Sequence, residues 1–270
     1  MGKGWFLTAW LVVAMANLGV SDVSAAARFA DPAFQTRWQA GEAIAPNTWG
    51  PLALAKEGQR EAYQGAPGGQ RLVQYFDKGR MELTNPASGV VSSGLLASEL
   101  LTGRMQLGDN AFEARQPAAI PLAGDPANTG PTYAMLQHLQ AQLLAATPAT
   151  AGADTTRALT QDGPMTTFPP GYRFLRAKIA GYDQPTGHNV PEAFVAFRTT
   201  VGLATVGLAL SEPFWTKLSV RGEGKDVLIQ VFERRVLTYT AANPVAFQVE
   251  MGNIGQQYYQ WRYPAGAPGA

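Results

Sequence analysis

The sequence predicts an α+β protein of two related modules, each a small antiparallel β-meander flanked by short helices, joined by a helical connector and a flexible linker. Three observations lead there. Asp226-Val-Leu-Ile-Gln-Val-Phe232 alternates strictly, with Val227, Ile229 and Val231 on one face and Leu228, Gln230 and Phe232 on the other. That period, rich in β-branched and aromatic residues, is a strand signature. Glu233-Arg-Arg235 interrupts the pattern and Val236-Leu-Thr-Tyr-Thr240 resumes it, which reads as a tight reversal. The third observation is an upstream echo, Arg71-Leu-Val-Gln-Tyr-Phe-Asp-Lys-Gly-Arg-Met-Glu-Leu-Thr84, in which Gln74, Phe76, Asp77 and Lys78 fall opposite Gln230, Phe232, Glu233 and Arg234 without a gap.

In chain order, Met1-Gly-Lys-Gly4, the apolar Trp5 to Val20 and the small residues up to Ala27 have the three-part layout of a secretory signal, cut after Ala25 or Ala27. A spanning helix needs a longer apolar run, about 20 residues, so the mature chain is expected to be secreted or extracytoplasmic, with no membrane span. The first module runs from residue 28 to 108. Asp31-Pro32 caps a helix whose Phe34 and Trp38 share a face. Asn47-Thr-Trp-Gly-Pro51 is a turn, Leu52 to Lys56 a strand, and Gly65 to Gly69 a loop before the Arg71 strand. Gly79 is expected at positive φ in the reversal, and Gly103 ends the helix that starts near Gly94.

Residues 109–167 form the connector. Thr132, Leu136, Leu139, Leu143 and Ala146 make an α-period stripe, predicting a helix over 131–146. The small, Thr-rich tract from Ala146 to Gly163 reads as an exposed linker. The second module, 168–263, opens with a strand from Phe174 to Ile179. Asn189 and Pro191 start a helix carrying Phe194 and Phe197, and Thr205 to Leu210 aligns near Thr48 to Ala53. Phe214 to Val220, a Gly222-Glu-Gly224 turn and the reversal complete the meander, and Val249 to Trp261 mirrors the helix of the first unit. Residues 264–270 are a tail. A unit of this size buries only about 60% of its unfolded surface, so the two are expected to pack on each other or on a partner.

Gly69-Gln-Arg-Leu-Val-Gln-Tyr-Phe-Asp-Lys-Gly-Arg80, followed by Asn85-Pro-Ala-Ser-Gly89 and a short helix, resembles the LGFP repeat of actinobacterial cell-surface proteins. Pro51-Leu-Ala53 stands where the eponymous motif would be, and Arg235 replaces the reversal glycine in the second unit. The chain is also similar to secreted, mostly uncharacterised tandem-module proteins of Chloroflexota. The shared wording includes Leu107-Gly-Asp-Asn-Ala-Phe112, Thr186-Gly-His-Asn-Val-Pro191 and Tyr258-Tyr-Gln-Trp-Arg-Tyr263. The resemblance implies export and tandem architecture, with cell-envelope association for the LGFP likeness.

Composition narrows the function classes. A net charge of +1 with 15% charged residues lacks the basic face a nucleic-acid partner requires. There is no cysteine, and the only histidines are His138 and His188. His138 is expected at the surface and His188 in a turn or cap. No serine elbow, zinc motif, phosphate loop or dinucleotide fingerprint appears, so neither metal nor cofactor is expected. The turn residues Asp77, Lys78, Arg80, Glu233, Arg234 and Arg235 read as ion-pair clusters or as a polar rim for an anionic glycan. Exposed aromatic rings stack on sugars, and Trp49, Tyr259 and Trp261 are the expected platforms. Trp49, Tyr259, Trp261, Arg80, Arg234 and Arg235 are therefore the candidate ligand-binding residues. The leading expectation is a non-catalytic binder of an envelope glycan or surface protein. A carboxylate-pair polysaccharide hydrolase and a self-associating surface-assembly subunit are the alternatives.

Overall fold

The computed structural model describes residues 29–50, 58–124, 128, 130–161, 163, 165–167 and 176–264. The leader, the expected strand at Leu52 to Lys56, the first two residues of the expected Phe174 to Ile179 strand and the end of the tail lie outside them; Arg176 to Lys178 form a turn and bend, and the strand there begins only at Ile179. The protein is mixed α and β, with several antiparallel sheets and few helices. Helix α1 is Pro32–Ile44; β1 Gln59–Ala62, β2 Gln70–Phe76, β3 Gly79–Leu83 and β4 Ser92–Ser93 form one sheet in that order. Helix α2 (Leu96–Thr102) leads to β5 (Arg104–Gln106) and β6 (Phe112–Ala114), a separate pair. Helix α3 (Tyr133–His138) precedes β7 (Arg157–Leu159), β8 (Met165–Thr167) and the pair β9 (Ile179–Asp183) and β10 (His188–Pro191). Helices α4 (Glu192–Val201) and α5 (Leu203–Val206) are followed by β11 (Phe214–Val220), β12 (Glu223–Val231), β13 (Val236–Tyr239), β14 (Val249–Met251) and α6 (Ile254–Arg262). The second large sheet runs β14-β13-β12-β11-β7-β8, with β7 parallel to β11.

Local chemistry explains the boundaries. Asp31 Oδ1 accepts the Ala33 N–H at 2.8 Å, with Pro32 at the first helical position. Gly103 takes φ 68° and closes α2 by donating to the Glu99 carbonyl, a left-handed position costly for other residues.

The two aligned stretches are both two-residue hairpins in the same register. Tyr75 pairs with Arg80 and Gln74 with Met81; Val231 pairs with Val236 and Gln230 with Leu237. The flanking bonds correspond too. Gly94 N donates to Arg80 O at 2.9 Å and Gly252 N to Val236 O at 3.0 Å. Lys78 N reaches Trp49 O at 3.0 Å and Arg234 N reaches Val206 O at 3.1 Å. Each following helix then docks on the other hairpin: Ser98 N of α2 donates to Glu233 O at 3.1 Å, and Gly255 N of α6 to Asp77 O at 3.0 Å.

That exchange builds one core from both halves. Val73, Tyr75, Leu96 and Leu100 pack with Val227, Ile229, Val231, Ile254 and Tyr258, joined by Leu122, Tyr133, Leu136, Leu143 and Leu159 from the intervening chain. Trp215, Leu228, Leu237 and Tyr239 line the opposite face of the second sheet under Phe194 of α4. The alternation from Val227 to Phe232 is thus satisfied on both sides. Phe34, Trp49, Phe76 and Met81 fill the corresponding space beneath α1.

Several expectations are corrected. The reversal is Asp77-Lys78, and Gly79 is not at positive φ; it opens β3. Its small size serves close approach, since a Cβ there would lie 2.5 Å from Arg235 Nη2. The 131–146 stripe forms α3 and then a π-helical turn over Gln140–Leu144. The tract expected to be a free linker is tied down: Thr147 N bonds Gly187 O, Thr150 N bonds Asn189 Oδ1, Gly152 N bonds Ile179 O, and β7 joins the large sheet. Backbone pairing needs no bulky side chains, so small-residue composition did not report it. Asn189 does not cap α4; it lies in β10, and its side-chain amide binds Thr147, Pro148 and Glu212. No helix among the described residues is long and apolar enough to cross a membrane.

Candidate functional site

Helix α6 presents one face to the core and another to a cleft. Ile254 and Tyr258 are buried, while Asn253 at its start, with Gln256, Gln257 and Gln260, recurs at helical spacing and lines the opening. The cleft holds about 520 Å3. Leu218, Val220 and Val227 supply apolar lining from the second sheet, Thr238, Thr240 and Glu250 polar lining, and the 119–124 segment another wall.

Lys78 enters from the first hairpin and fixes this wall. Its Nζ donates to Met251 O at 2.8 Å and to Asn253 Oδ1 at 2.6 Å. Burial and the neighbouring Arg235 lower its pKa, against the opposing pull of Glu250 and Asp77. Gln256 donates to Asp77 Oδ1 at 2.6 Å. Gln257 is also committed, accepting from Tyr133 Oη at 2.8 Å and donating to Pro121 O at 2.9 Å. Gln260 is exposed and makes no side-chain hydrogen bond among the described residues. The wall therefore has a braced inner part and a free outer amide carrying both donor and acceptor.

The residues singled out from the sequence lie elsewhere. Trp49 is only 1% exposed, packed under α1 against Phe76. Tyr259 is half-buried, edge-on to Tyr75, and its hydroxyl accepts from Gln59. Trp261 is also half-buried and donates to Gln116 O at 3.0 Å. None of these three rings lines the amide cleft. Arg234 and Arg235 meet Trp49 and Ser93 between the hairpins, with Arg235 fully buried. Among the described residues the acids of the turns do not form the expected ion pairs: Asp77 accepts from Gln256, and Glu233 Oε2 from Leu208 N at 3.0 Å. His138 is exposed, whereas His188 is buried in β10, its Nδ1 3.4 Å from Glu212.

Arg80 belongs to a sealed ionic network. It reaches Glu61 at 3.0 Å, Glu82 at 2.5 Å and Glu99 at 3.5 Å, and all four side chains are nearly inaccessible. Arg71 adds a bond to Glu82, Arg262 one to Glu61, and Tyr258 donates to Glu99 at 2.5 Å. Burial pushes Glu61 and Glu82 upward, but Arg80, aided by Arg262 and Arg71 respectively, holds both below the usual carboxylate range. At Glu99 burial prevails and its pKa is raised. The signs oppose. Stability from Glu61 and Glu82 is present above the ordinary carboxylate pKa and lost as pH falls through their lowered values; that linked to Glu99 is present at low pH and lost as pH rises through its raised value. Glu99→Gln is therefore expected to abolish a gain in unfolding free energy that the unsubstituted protein shows as pH falls from neutrality towards the carboxylate range. Urea titrations of both proteins at each pH check this; parallel profiles would contradict it.

No carboxylate of this network lies in the cleft, where Glu250 is the lining acid. Among the described residues no group of three or more His, Cys, Asp or Glu is placed to hold a metal ion. The amide row is visible in the sequence as Asn253, Gln256, Gln257 and Gln260, but the aromatic residues beside it offer the stronger local signal for sugar stacking. Comparison of the chain with protein-family models, curated proteins and solved structures gives no match.

Proposed function

We propose that this is an exported, non-catalytic carbohydrate-binding protein of two related α+β modules, whose ligand lies along the amide face of α6. The amide row over an aliphatic floor carries the reading. A side-chain amide places a donor beside an acceptor, matching hydroxyl groups that do both, while apolar floor residues take the C–H faces of a sugar ring. Equal hairpin registers and matching flanking bonds support relatedness of the modules. The Met1 to Ala27 leader pattern supports export, and an envelope polysaccharide is then the accessible polymer.

The test is retention of the processed chain on isolated cell-wall polysaccharide. Gln256→Ala with Gln260→Ala is expected to weaken binding at least about tenfold, from the loss of two hydrogen-bonding groups worth about 1 kcal/mol each. Circular dichroism would confirm that the fold is kept. Unchanged retention, or release of reducing ends from the polysaccharide, would contradict the proposal.

A further inference from the structure

We propose that Arg37, Arg234 and Arg235, gathered around Trp49 and Ser93, form a binding site for a multiply charged oxyanion of the phosphate or sulfate type. Four parts of the chain meet here: α1 supplies Arg37, the second hairpin Arg234 and Arg235, β4 Ser93, and the turn after α1 Trp49. Arg37 Nη2 lies 3.5 Å from Ser93 Oγ, and Arg234 donates to the Ser93 carbonyl. The guanidinium carbons of Arg235 and Arg37 lie 5.0 and 5.6 Å from the Trp49 ring centroid.

What marks the cluster is that no carboxylate among the described residues pairs with it. Arg71, Arg80, Arg157, Arg198 and Arg262 each sit on a carboxylate. Among the described residues none lies within 4.0 Å of Arg37, Arg234 or Arg235. Arg235 is fully buried; its Nη1 donates to Arg234 O at 2.9 Å, while among the described residues Nε and Nη2 have no partner, and neither does Nε of Arg37. Burial, then Arg234 and Arg37, bring Arg235 down to about 9, so it still carries its charge at neutral pH. A buried guanidinium without an acid is strongly unfavourable, and stacking on an indole offsets only part of that cost.

An oxyanion resolves the imbalance, because guanidinium N–H groups match its oxygens in charge and direction. Arg37 and Arg234 are half-buried and so reach solvent, whereas Arg235 is fully buried. The arrangement depends on an asymmetry between equivalent positions. Gly79 in the first hairpin leaves the space that Arg235, its counterpart in the second, fills with its guanidinium. Arg235 lies against Gly79, and the preceding residue, Lys78, lines the amide cleft, so the two sites are neighbours.

The experiment measures thermal stability and calorimetric binding of the mature chain with inorganic phosphate, against chloride at equal ionic strength. Phosphate at about 10 mM is expected to raise Tm, as any ligand of the native state does. Arg37→Gln, on the outer side, is expected to weaken phosphate at least about tenfold. Arg235→Met is expected to abolish the phosphate response and to raise Tm in chloride, because it removes an uncompensated charge. A hexose 6-phosphate arm separates the sources: binding about tenfold tighter than phosphate, with the gain lost in Gln260→Ala, identifies an anion carried on a sugar, and equal affinity identifies the free ion. Either supports the site, and the phosphate arm stands whether or not the cleft binds carbohydrate. Equal Tm in phosphate and chloride, or a phosphate response that survives both arginine substitutions, overturns it.

Discussion

Arg80→Met is expected to cost about 3–5 kcal/mol of folding stability, a large part of what a domain of ordinary stability possesses. Arg80 is fully buried and is, among the described residues, the one cation in contact with Glu61, Glu82 and Glu99 together. Methionine fills much of the same volume but leaves Glu82 with Arg71, Glu61 with Arg262, and Glu99 without an arginine partner. The penalty is charge left in low dielectric, so it shrinks as the carboxylates protonate. Urea denaturation at neutral and acidic pH measures it. A loss below about 1 kcal/mol at neutral pH, within the range of an exposed ion pair, would show that the network is hydrated and not sealed.

Gly255→Ala is the second large effect. A Cβ at this position would overlap the carbonyl oxygen of Phe76 and lie 2.8 Å from Gly79 N. Both are backbone atoms of the first hairpin and cannot move aside as a side-chain tip does. Helix α6 must lift, weakening the 3.0 Å bond from Gly255 N to Asp77 O and drawing Ile254 and Tyr258 from the shared core. Forced overpacking of this kind costs about 1–3 kcal/mol, occasionally more. The same displacement moves Asn253 and Gln256 away from Lys78 and Asp77, so ligand affinity should fall alongside stability. A variant with wild-type Tm would mean that α6 does not rest on this hairpin.

Strand alternation and the two reversals were legible because each depends on neighbours in sequence. Val227, Ile229 and Val231 on one side and Leu228 on the other follow from the pleat alone. Which hairpin each helix caps was not legible, since Gly255 touching Asp77 and Ser98 touching Glu233 are long-range choices made by packing. Buried charge was hidden for a related reason. Arg80 and Glu82 alternate with Met81 and Leu83 as solvent-facing positions do, and α2 and α6 bring Glu99, Tyr258 and Arg262 over them. Beside Gly50-Pro51 in the sequence Trp49 reads as exposed, yet its ring packs against Phe76 with the Arg235 guanidinium over it. The amide face of α6 was overlooked because its aromatic neighbours suggested sugar stacking, whereas Tyr258 and Tyr259 pack against Tyr75 and Trp261 against Tyr258.

The most direct test of carbohydrate binding at α6 is a nuclear magnetic resonance titration of side-chain amide signals with fragments of envelope polysaccharide. The cleft predicts that Gln260, Gln256 and Asn253 shift first and saturably, with the methyl groups of Val220 and Val227 following, while the indole of Trp49 stays unmoved. Shifts confined to other surfaces, or none at saturating glycan, would contradict it.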